Sequence, residues 1–346
     1  MNLEVHKTLR STEDSVTILF KSLNGFAKHK AGQHGNFLFS INGEKFKRSY
    51  SFHTAAEIDD HHGITIRLVE DGIVSQQVIK NGFDSVALES IDGDFFVEPL
   101  ATRKRHVVMF AGGSGITPLM SMIKSLLTLE QESSISLIYS NQSISKIIFR
   151  KDLEGLQREY ADRLKIYHVI TREENLPKDF PLFFKGRLPK IVIKKLLKTI
   201  TPGSLDTEYY ICGPHDFTKL IQESISSLNT GEIKVFIEHF FIPDSRPNFD
   251  FTQLAPRTVT LRTTDGEKSV VVDGGRSILQ AAIDNNIKVP YSCTQGQCGT
   301  CRAELLSGEV KLRKNHALTE QELDAGQILL CQGFPMSDGV TIQTRL

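Results

Sequence analysis

The 346-residue chain lacks a charge excess: Lys+Arg and Asp+Glu are both 41, so the net charge is zero with histidine neutral. That balance argues against a general binder of nucleic acid or of an anionic membrane surface. No apolar run approaches the roughly 18 residues that cross a bilayer, so no membrane span is expected. Met1–Ser15 is charged and has no apolar centre, which does not read as a signal peptide. Cysteine is scarce. Of five, four fall into one pattern and Cys212 stands alone, so no pair is left for a structural disulfide and a reducing, cytoplasmic setting is expected. Internal repeats and low-complexity tracts are absent. The length suits two or three domains, and the 40% hydrophobic and 24% charged content is that of an ordinary globular chain.

The few cysteines carry the clearest signal. Residues 293–301 read C-x4-C-x2-C, and a fourth cysteine follows after 29 residues. Four thiolates must reach the two irons of a [2Fe–2S] cluster; a tight loop supplies three and a later segment supplies the fourth. Gly296 and Gly299 let the loop turn its amides toward the sulfurs. Zinc usually takes two C-x2-C knuckles, and only one is present. The expected metal ligands are Cys293, Cys298, Cys301 and Cys331.

Residues 1–102 read as β-rich, with short segments at Val16–Phe20, Asn36–Ile41, Phe46–Phe52, Gly63–Val69 and Phe95–Val97. Turn residues between them suggest an antiparallel barrel or sandwich. Arg48–Ser49–Tyr50–Ser51 lies inside this region. On a strand, Arg48 and Tyr50 share a face, which suits a ligand with a phosphate beside a flat ring. Taken alone, the tetrapeptide reads first as a surface arginine next to a half-buried tyrosine. Arg67 follows, then Gly72–Ile73–Val74–Ser75 ahead of the helical stretch Ser75–Lys80. Free N–H groups there suit a diphosphate, and a plain N-cap serine is the other reading.

From residue 103 the pattern becomes α/β. His106–Ala111 is a continuous apolar run like a buried parallel strand, followed by Gly112–Gly113–Ser114–Gly115–Ile116–Thr117–Pro118. A helical face starts at Leu119, with Thr117 as the expected N-cap and Pro118 in the first turn. The loop is not G-x-G-x-x-G, but strand before and helix after let its glycines admit a pyrophosphate. Strands and helices then alternate to a last strand at Lys234–Ile237, which gives a doubly wound parallel sheet of about five strands. Cys212 ends one of those strands, as a ligand-facing residue or as a small buried apolar group. Residues 241–256, with Pro243, Pro247 and Pro256, read as a linker. Residues 257–346 follow the element order of a β-grasp ferredoxin domain. The run Lys311–Leu312–Arg313–Lys314 is either a docking patch for an acidic partner or a solvated face.

Together these motifs resemble the ferredoxin–NADP reductase superfamily with a C-terminal plant-type ferredoxin domain, particularly the reductase components of phenylacetyl-CoA epoxidase and related oxygenases. The resemblance covers essentially the whole chain. It implies an FAD-binding β-barrel domain at 1–102, an NAD(P)-binding α/β domain at 103–240 and a [2Fe–2S] domain at 257–346. By the same likeness Arg48 meets the flavin diphosphate, Ser49 completes the R-x-Y-S motif, Tyr50 stacks on the ring and Ser51 sits by N5. Gly72 and Ser75 match the G-x-x-S at the diphosphate; Gly112, Gly113, Gly115, Thr117 and Pro118 match the G-G-x-G-x-T-P loop. Cys212, Gly213 and Pro214 match the turn beside the nicotinamide, and Glu238 and Phe240 the segment flanking the flavin. FAD rather than FMN follows from the likeness alone.

The implied function is an NAD(P)H-dependent oxidoreductase. A nicotinamide gives two electrons as hydride, a [2Fe–2S] cluster takes one, and a flavin holds the other in between. Ser51, Cys212 and Glu238 are the expected catalytic residues, and a partner oxygenase is the expected acceptor. The alternative is a redox-sensing protein whose cluster is a switch. NADPH is expected over NADH: Ser140–Asn141–Gln142–Ser143 offers no acid for a ribose, while Arg172 and Arg187 match the arginines that hold the 2′-phosphate. Gln142 replaces an arginine of close relatives, so one cationic contact is missing.

Overall fold

The computed structural model describes all residues except 22–27, 71, 202–205, 229–232, 241–248, 293, 295, 297–298, 316, 319 and 345–346. They form two compact units, Met1–Phe240 and Phe241–Leu346.

The first unit begins with a barrel. Its strands are β1 (Asn2–Thr12), β2 (Ser15–Phe20), β3 (His34–Ile41), β4 (Glu44–Ser51), β5 (His62–Arg67) and, after helix α1 (Ile73–Asn81), β6 (Ser85–Asp92). They pair antiparallel in the order β4-β3-β6-β1-β2-β5. The chain leaving β4 returns to β5 through the Phe52–Ile64 bridge and His53 N donating to Gly63 O at 3.0 Å, which joins the two edges. Alternation puts Phe20, Phe37, Phe39, Ile64 and Ile66 inside, and Val74 and Val78 of α1 join that core. Phe95–Val97, expected as a strand, is irregular. The Phe95 and Val97 side chains are buried, and a single bond, Val97 N to Ala31 O, ties the segment down.

The same unit continues as β7 (Arg105–Gly112), α2 (Ile116–Leu129), β8 (Ser134–Asn141), α3 (Arg150–Glu159), β9 (Leu164–Ile170), β10 (Leu182–Lys185), α4 (Lys190–Ile200), β11 (Asp206–Gly213), α5 (His215–Ser226) and β12 (Lys234–His239). All pairs are parallel, in the order β10-β9-β8-β7-β11-β12. Six strands thus stand where about five were expected, the addition being the short β10. The order reverses at β7, between β8 and β11, so a crevice opens at the carboxyl ends of β7 and β11. At the opposite end of the sheet Arg105, 1% exposed, is held by Glu130 at 2.8 and 3.0 Å and by Glu208. Barrel and sheet are joined by Lys124–Asp59 at 2.9 Å and by the contacts of the site below.

The second unit has β13 (Arg257–Thr263), β14 (Gly266–Val272), α6 (Ile278–Asp284), β15 (Arg302–Ser307), β16 (Val310–Leu312), α7 (Glu320–Asp324), β17 (Gln327–Leu329), β18 (Gly333–Pro335) and β19 (Val340–Thr344). The sheet runs β14-β13-β19-β15-β17, with β19 parallel to β13, and β16 pairs with β18 alone. Ser277 caps α6 by accepting from Gln280 N at 3.2 Å, and the helix buries Ile278, Leu279, Ala281 and Ala282. From Phe249 the stretch expected as a linker packs onto this unit: Phe251 is buried and its ring lies 4.3 Å from Phe334. Lys311 sits over Phe249 at 4.1 Å and Arg313 over Phe334 at 4.4 Å. Two cations of the basic run are therefore engaged with aromatic faces of their own unit.

Candidate functional site

The parallel register of β11 and β12 sets Cys212 opposite Glu238, and the antiparallel register of β3 and β4 sets His34 opposite Ser51. These four residues meet at one carboxylate. Ser51 Oγ donates to Glu238 Oε2 at 3.3 Å, and Cys212 Sγ lies 4.0 Å from the same oxygen. His34 Nδ1 is 3.8 Å from Oε1. Burial, helped by the Glu238 charge, raises the Cys212 thiol well above its ordinary range. Cys212 is therefore a neutral packing group, not a thiolate nucleophile. His34 is part of this constellation although no motif points to it.

Tyr50 packs near Phe37 and Phe39, with ring centroids 6.3 and 6.0 Å away, and burial pushes its phenol up. It presents an uncharged aromatic surface. Arg48 is half-buried on the same strand and donates from Nη1 to Lys47 O at 2.8 Å. Ser49 is engaged elsewhere. Its hydroxyl donates to Asn36 Oδ1 at 2.7 Å, and Asn36 in turn reaches Ser90 and Asp92, a polar ladder across β4, β3 and β6. Phe240 is partly buried against the core cluster that includes Cys212.

The loop after β7 is a single 3₁₀ turn, Gly113–Gly115, running into α2. Thr117 and Pro118 stand in the first turn of α2, whose N-cap is Gly115; Thr117 Oγ1 donates to Ser114 O at 3.0 Å instead of capping. A Cβ on Gly115 would lie 2.2 Å from Cys212 O, and one on Gly112 2.7 Å from Pro214 Cδ. The loop must be glycine-rich because the Cys212–Gly213–Pro214 turn lies against it. Ile116 N–H, the first of α2, is taken by Gly113 O and Ser114 O, so the N–H groups that favour an anion here are those of the preceding 3₁₀ turn. Helix α1 begins at Ile73, ahead of Ser75, with Gly72 as N-cap. Ser75 Oγ accepts from Val69 N at 3.1 Å and donates to Gly72 O at 3.0 Å, which pins the turn. Arg67 ends β5 with Nε and Nη2 each 3.1 Å from Asp14 Oδ2, and its Nη1 faces Gly113.

Arg172 and Arg187 lie just past the carboxyl ends of the paired strands β9 and β10. Lys185 of β10 pairs with Ile170 of β9, and each arginine lies two residues beyond. Gly186 N donates to Ile170 O at 2.7 Å, and Arg172 N to Gln142 O at 2.9 Å. Both side chains are exposed, and neither guanidinium has an acidic partner among the described residues. Glu173 is occupied: its Oε2 accepts from Ile144 N at 2.6 Å.

In the second unit Cys301 and Cys331 are buried, and Leu330 N donates to Cys301 O at 3.0 Å, so the two cysteines sit on adjacent segments. Cys293 and Cys298 lie outside the described residues. Thr294, Gly296 and Gly299 have φ of 57°, 73° and 71°, the left-handed turns a tight ligand loop needs. Gln332 Nε2 donates to Thr294 O at 2.8 Å and ties the loop to the Cys331 segment. This donor set, thiolates from one loop and one later segment, fits a [2Fe–2S] cluster.

Residues 109–223 match the family model of the oxidoreductase NAD-binding domain, and residues 262–336 that of the 2Fe-2S iron–sulfur cluster binding domain. One component of the 1,2-phenylacetyl-CoA epoxidase from Escherichia coli is 29% identical over 99% of this chain and 96% of its own length. The two matched domains stand in the order of those ferredoxin–NADP reductase superfamily members that carry a C-terminal [2Fe–2S] domain, which the chain resembles. This reductase is also 27% identical to the ferredoxin reductase component of 3-ketosteroid-9-alpha-monooxygenase from Mycolicibacterium smegmatis, over 99% of the chain and 96% of the relative. Its fold matches phthalate dioxygenase reductase with a TM-score of 0.64 at 23% identity, covering 100% and 98% of the two chains. It also matches an intact self-sufficient cytochrome P450 monooxygenase, TM-score 0.69 at 19% identity, and spans 41% of that longer chain.

Proposed function

We propose that this reductase takes electrons from NADPH through FAD and its [2Fe–2S] cluster to a partner oxygenase. The observation that carries the reading is the convergence of Ser51 and Cys212 on one oxygen of Glu238, beside the glycine loop of the dinucleotide lobe. Bound FAD would accept a hydride from the coenzyme and give electrons up singly to the cluster.

The chain's own residues account for the rest. Tyr50 offers a flat uncharged face for the flavin ring, and Arg48 a charge for its diphosphate. The α1 N-terminus at Gly72, with its turn fixed by Ser75, adds backbone donors. Gly112, Gly113 and Gly115 let the coenzyme's pyrophosphate approach the α2 N-terminus, while Gly213 and Pro214 shape the opposite wall. Neutral Cys212 packs the nicotinamide and excludes water, and Ser51 and Glu238 orient the reacting edge. Phe240 covers the flavin site. Arg172 and Arg187 supply the paired cations that a 2′-phosphate wants, which favours NADPH over NADH.

The epoxidase and monooxygenase relatives are both components of oxygenase systems, which supports an oxygenase as the final acceptor. Steady NADPH-dependent reduction of cytochrome c by the full chain tests the wire against a switch. A single round of cluster reduction without turnover would contradict the proposal.

A further inference from the structure

We propose that Asp14 is a positioning residue for coenzyme binding: its carboxylate fixes the Arg67 guanidinium so that the remaining nitrogen faces the Gly113 loop. The proposal rests on the reading of that loop as the pyrophosphate site.

Asp14 sits in the two-residue turn between β1 and β2, and Ser15 pairs with Arg67 across the β2–β5 ladder. Leu68 N donates to Asp14 O at 2.7 Å, which locks the turn beside the end of β5. The carboxylate is fully used. Oδ2 takes Nε and Nη2 of Arg67, both at 3.1 Å, and Oδ1 takes the Thr12 hydroxyl at 2.8 Å. Burial alone would raise the Asp14 carboxyl, yet the Thr12 hydrogen bond and the Arg67 and Lys146 charges hold it below its ordinary range.

With two of its nitrogens committed, Arg67 has Nη1 left. That atom is what a Cβ on Gly113 would meet first, at 2.9 Å, and Gly113 itself has φ of +54°. A second cation backs the arrangement. Lys146 Nζ lies 3.7 Å from Asp14 Oδ2 and 3.5 Å from Glu13 Oε1, on a turn whose Ile144 N–H is held by Glu173. Arg67 and Lys146 are matched by Asp14 and Glu13, so the cluster brings a directed donor to the loop through Arg67 Nη1 and no excess charge. A guanidinium already clamped loses less rotamer freedom when a phosphate arrives, so clamping raises affinity without adding a contact. A plain structural ion pair would not act on coenzyme affinity through Arg67, and that difference is measurable.

The test uses the full chain. NADP⁺ dissociation constants come from isothermal titration, and kcat and KM from turnover with NADPH and with NADH. Asp14→Ala should raise the NADP⁺ Kd and both KM values about three- to tenfold, with flavin content and saturated kcat changed less than about twofold. Both coenzymes respond because the pyrophosphate is common to them. In the Arg67→Ala background, Asp14→Ala should have no further effect. If Asp14→Ala fails to fold, Asp14→Asn takes its place, with a smaller rise in Kd. An unchanged or lower Kd in the Asp14 variants, or additive losses in the double variant, would overturn the proposal while Arg67→Ala alone still weakens NADP⁺. If Arg67→Ala leaves NADP⁺ binding unchanged as well, the reading of the loop falls with it.

Discussion

Arg172→Ala removes one of the two guanidiniums that follow the paired ends of β9 and β10 by two residues. Neither has an acidic partner among the described residues, so in the free protein the substitution breaks no ion pair and should leave stability within about 0.5 kcal/mol. Its effect appears only when a 2′-phosphate is present. A charge-assisted hydrogen bond contributes about 1.5–3 kcal/mol. Arg172 is exposed, so solvent and salt screen the interaction and the lower part of that range applies, about 1.5–2 kcal/mol. The expected loss is about ten- to thirtyfold in kcat/KM for NADPH. NADH lacks the phosphate and should lose less than about twofold on the same reasoning. Steady-state turnover of wild type and variant with both coenzymes, at two ionic strengths, reads all of this. The NADPH penalty should shrink as salt rises. A wild type that favours NADH, or a variant that loses both coenzymes equally, would refute the assignment.

Three further outcomes follow from the structure. Cys331→Ser should abolish the cluster's visible absorption yet keep NADPH-dependent ferricyanide reduction, because Cys331 lies in the second unit and the Glu238 site in the first; loss of both activities would argue against separate sites. Glu130→Ala leaves Arg105 buried with only part of its charge matched, and should cost about 3–5 kcal/mol in urea unfolding. His53 is pushed down to about 3, chiefly by burial and then by Lys124 and His29, so it folds neutral. An ordinary histidine near 6.5 in the unfolded chain binds its proton first, so stability is full above that value and falls with pH through the window below it. Acidifying from pH 7 to 5 should cost about 2 kcal/mol through this group, and His53→Asn should flatten the slope.

Much of the site is legible in the sequence because its parts are local. The apolar run before Gly112 and the helical face after Pro118 announce a strand, a turn and a helix within one stretch, and three of the four patterned cysteines fall within a single loop. Strand β1 escapes notice because His6 to Arg10 are all exposed and its register shifts after Val5, so no apolar alternation runs along it. Strand β10 has four residues, too few to show a period. Phe95–Val97 alternates like a strand but has no ladder partner, since its two apolar side chains pin a crossing segment instead. His34 and Asp14 are invisible for another reason. Their partners, Glu238 and Arg67, are distant in the chain, and only strand register brings them together. Thr117 looks like an N-cap because a threonine before a proline suits one; the 3₁₀ turn at Gly113–Gly115 starts the helix earlier.

The proposed electron path runs from NADPH through a flavin in the first unit to a cluster in the second. Anaerobic stopped-flow mixing of the full chain with NADPH, followed at the flavin and cluster absorption bands, tests it most directly. Flavin bleaching should come first and cluster reduction after it, with Ser51→Ala and Glu238→Gln slowing the first phase and Cys331→Ser removing the second. No flavin bleaching on mixing, or cluster reduction that precedes it, would rule that path out.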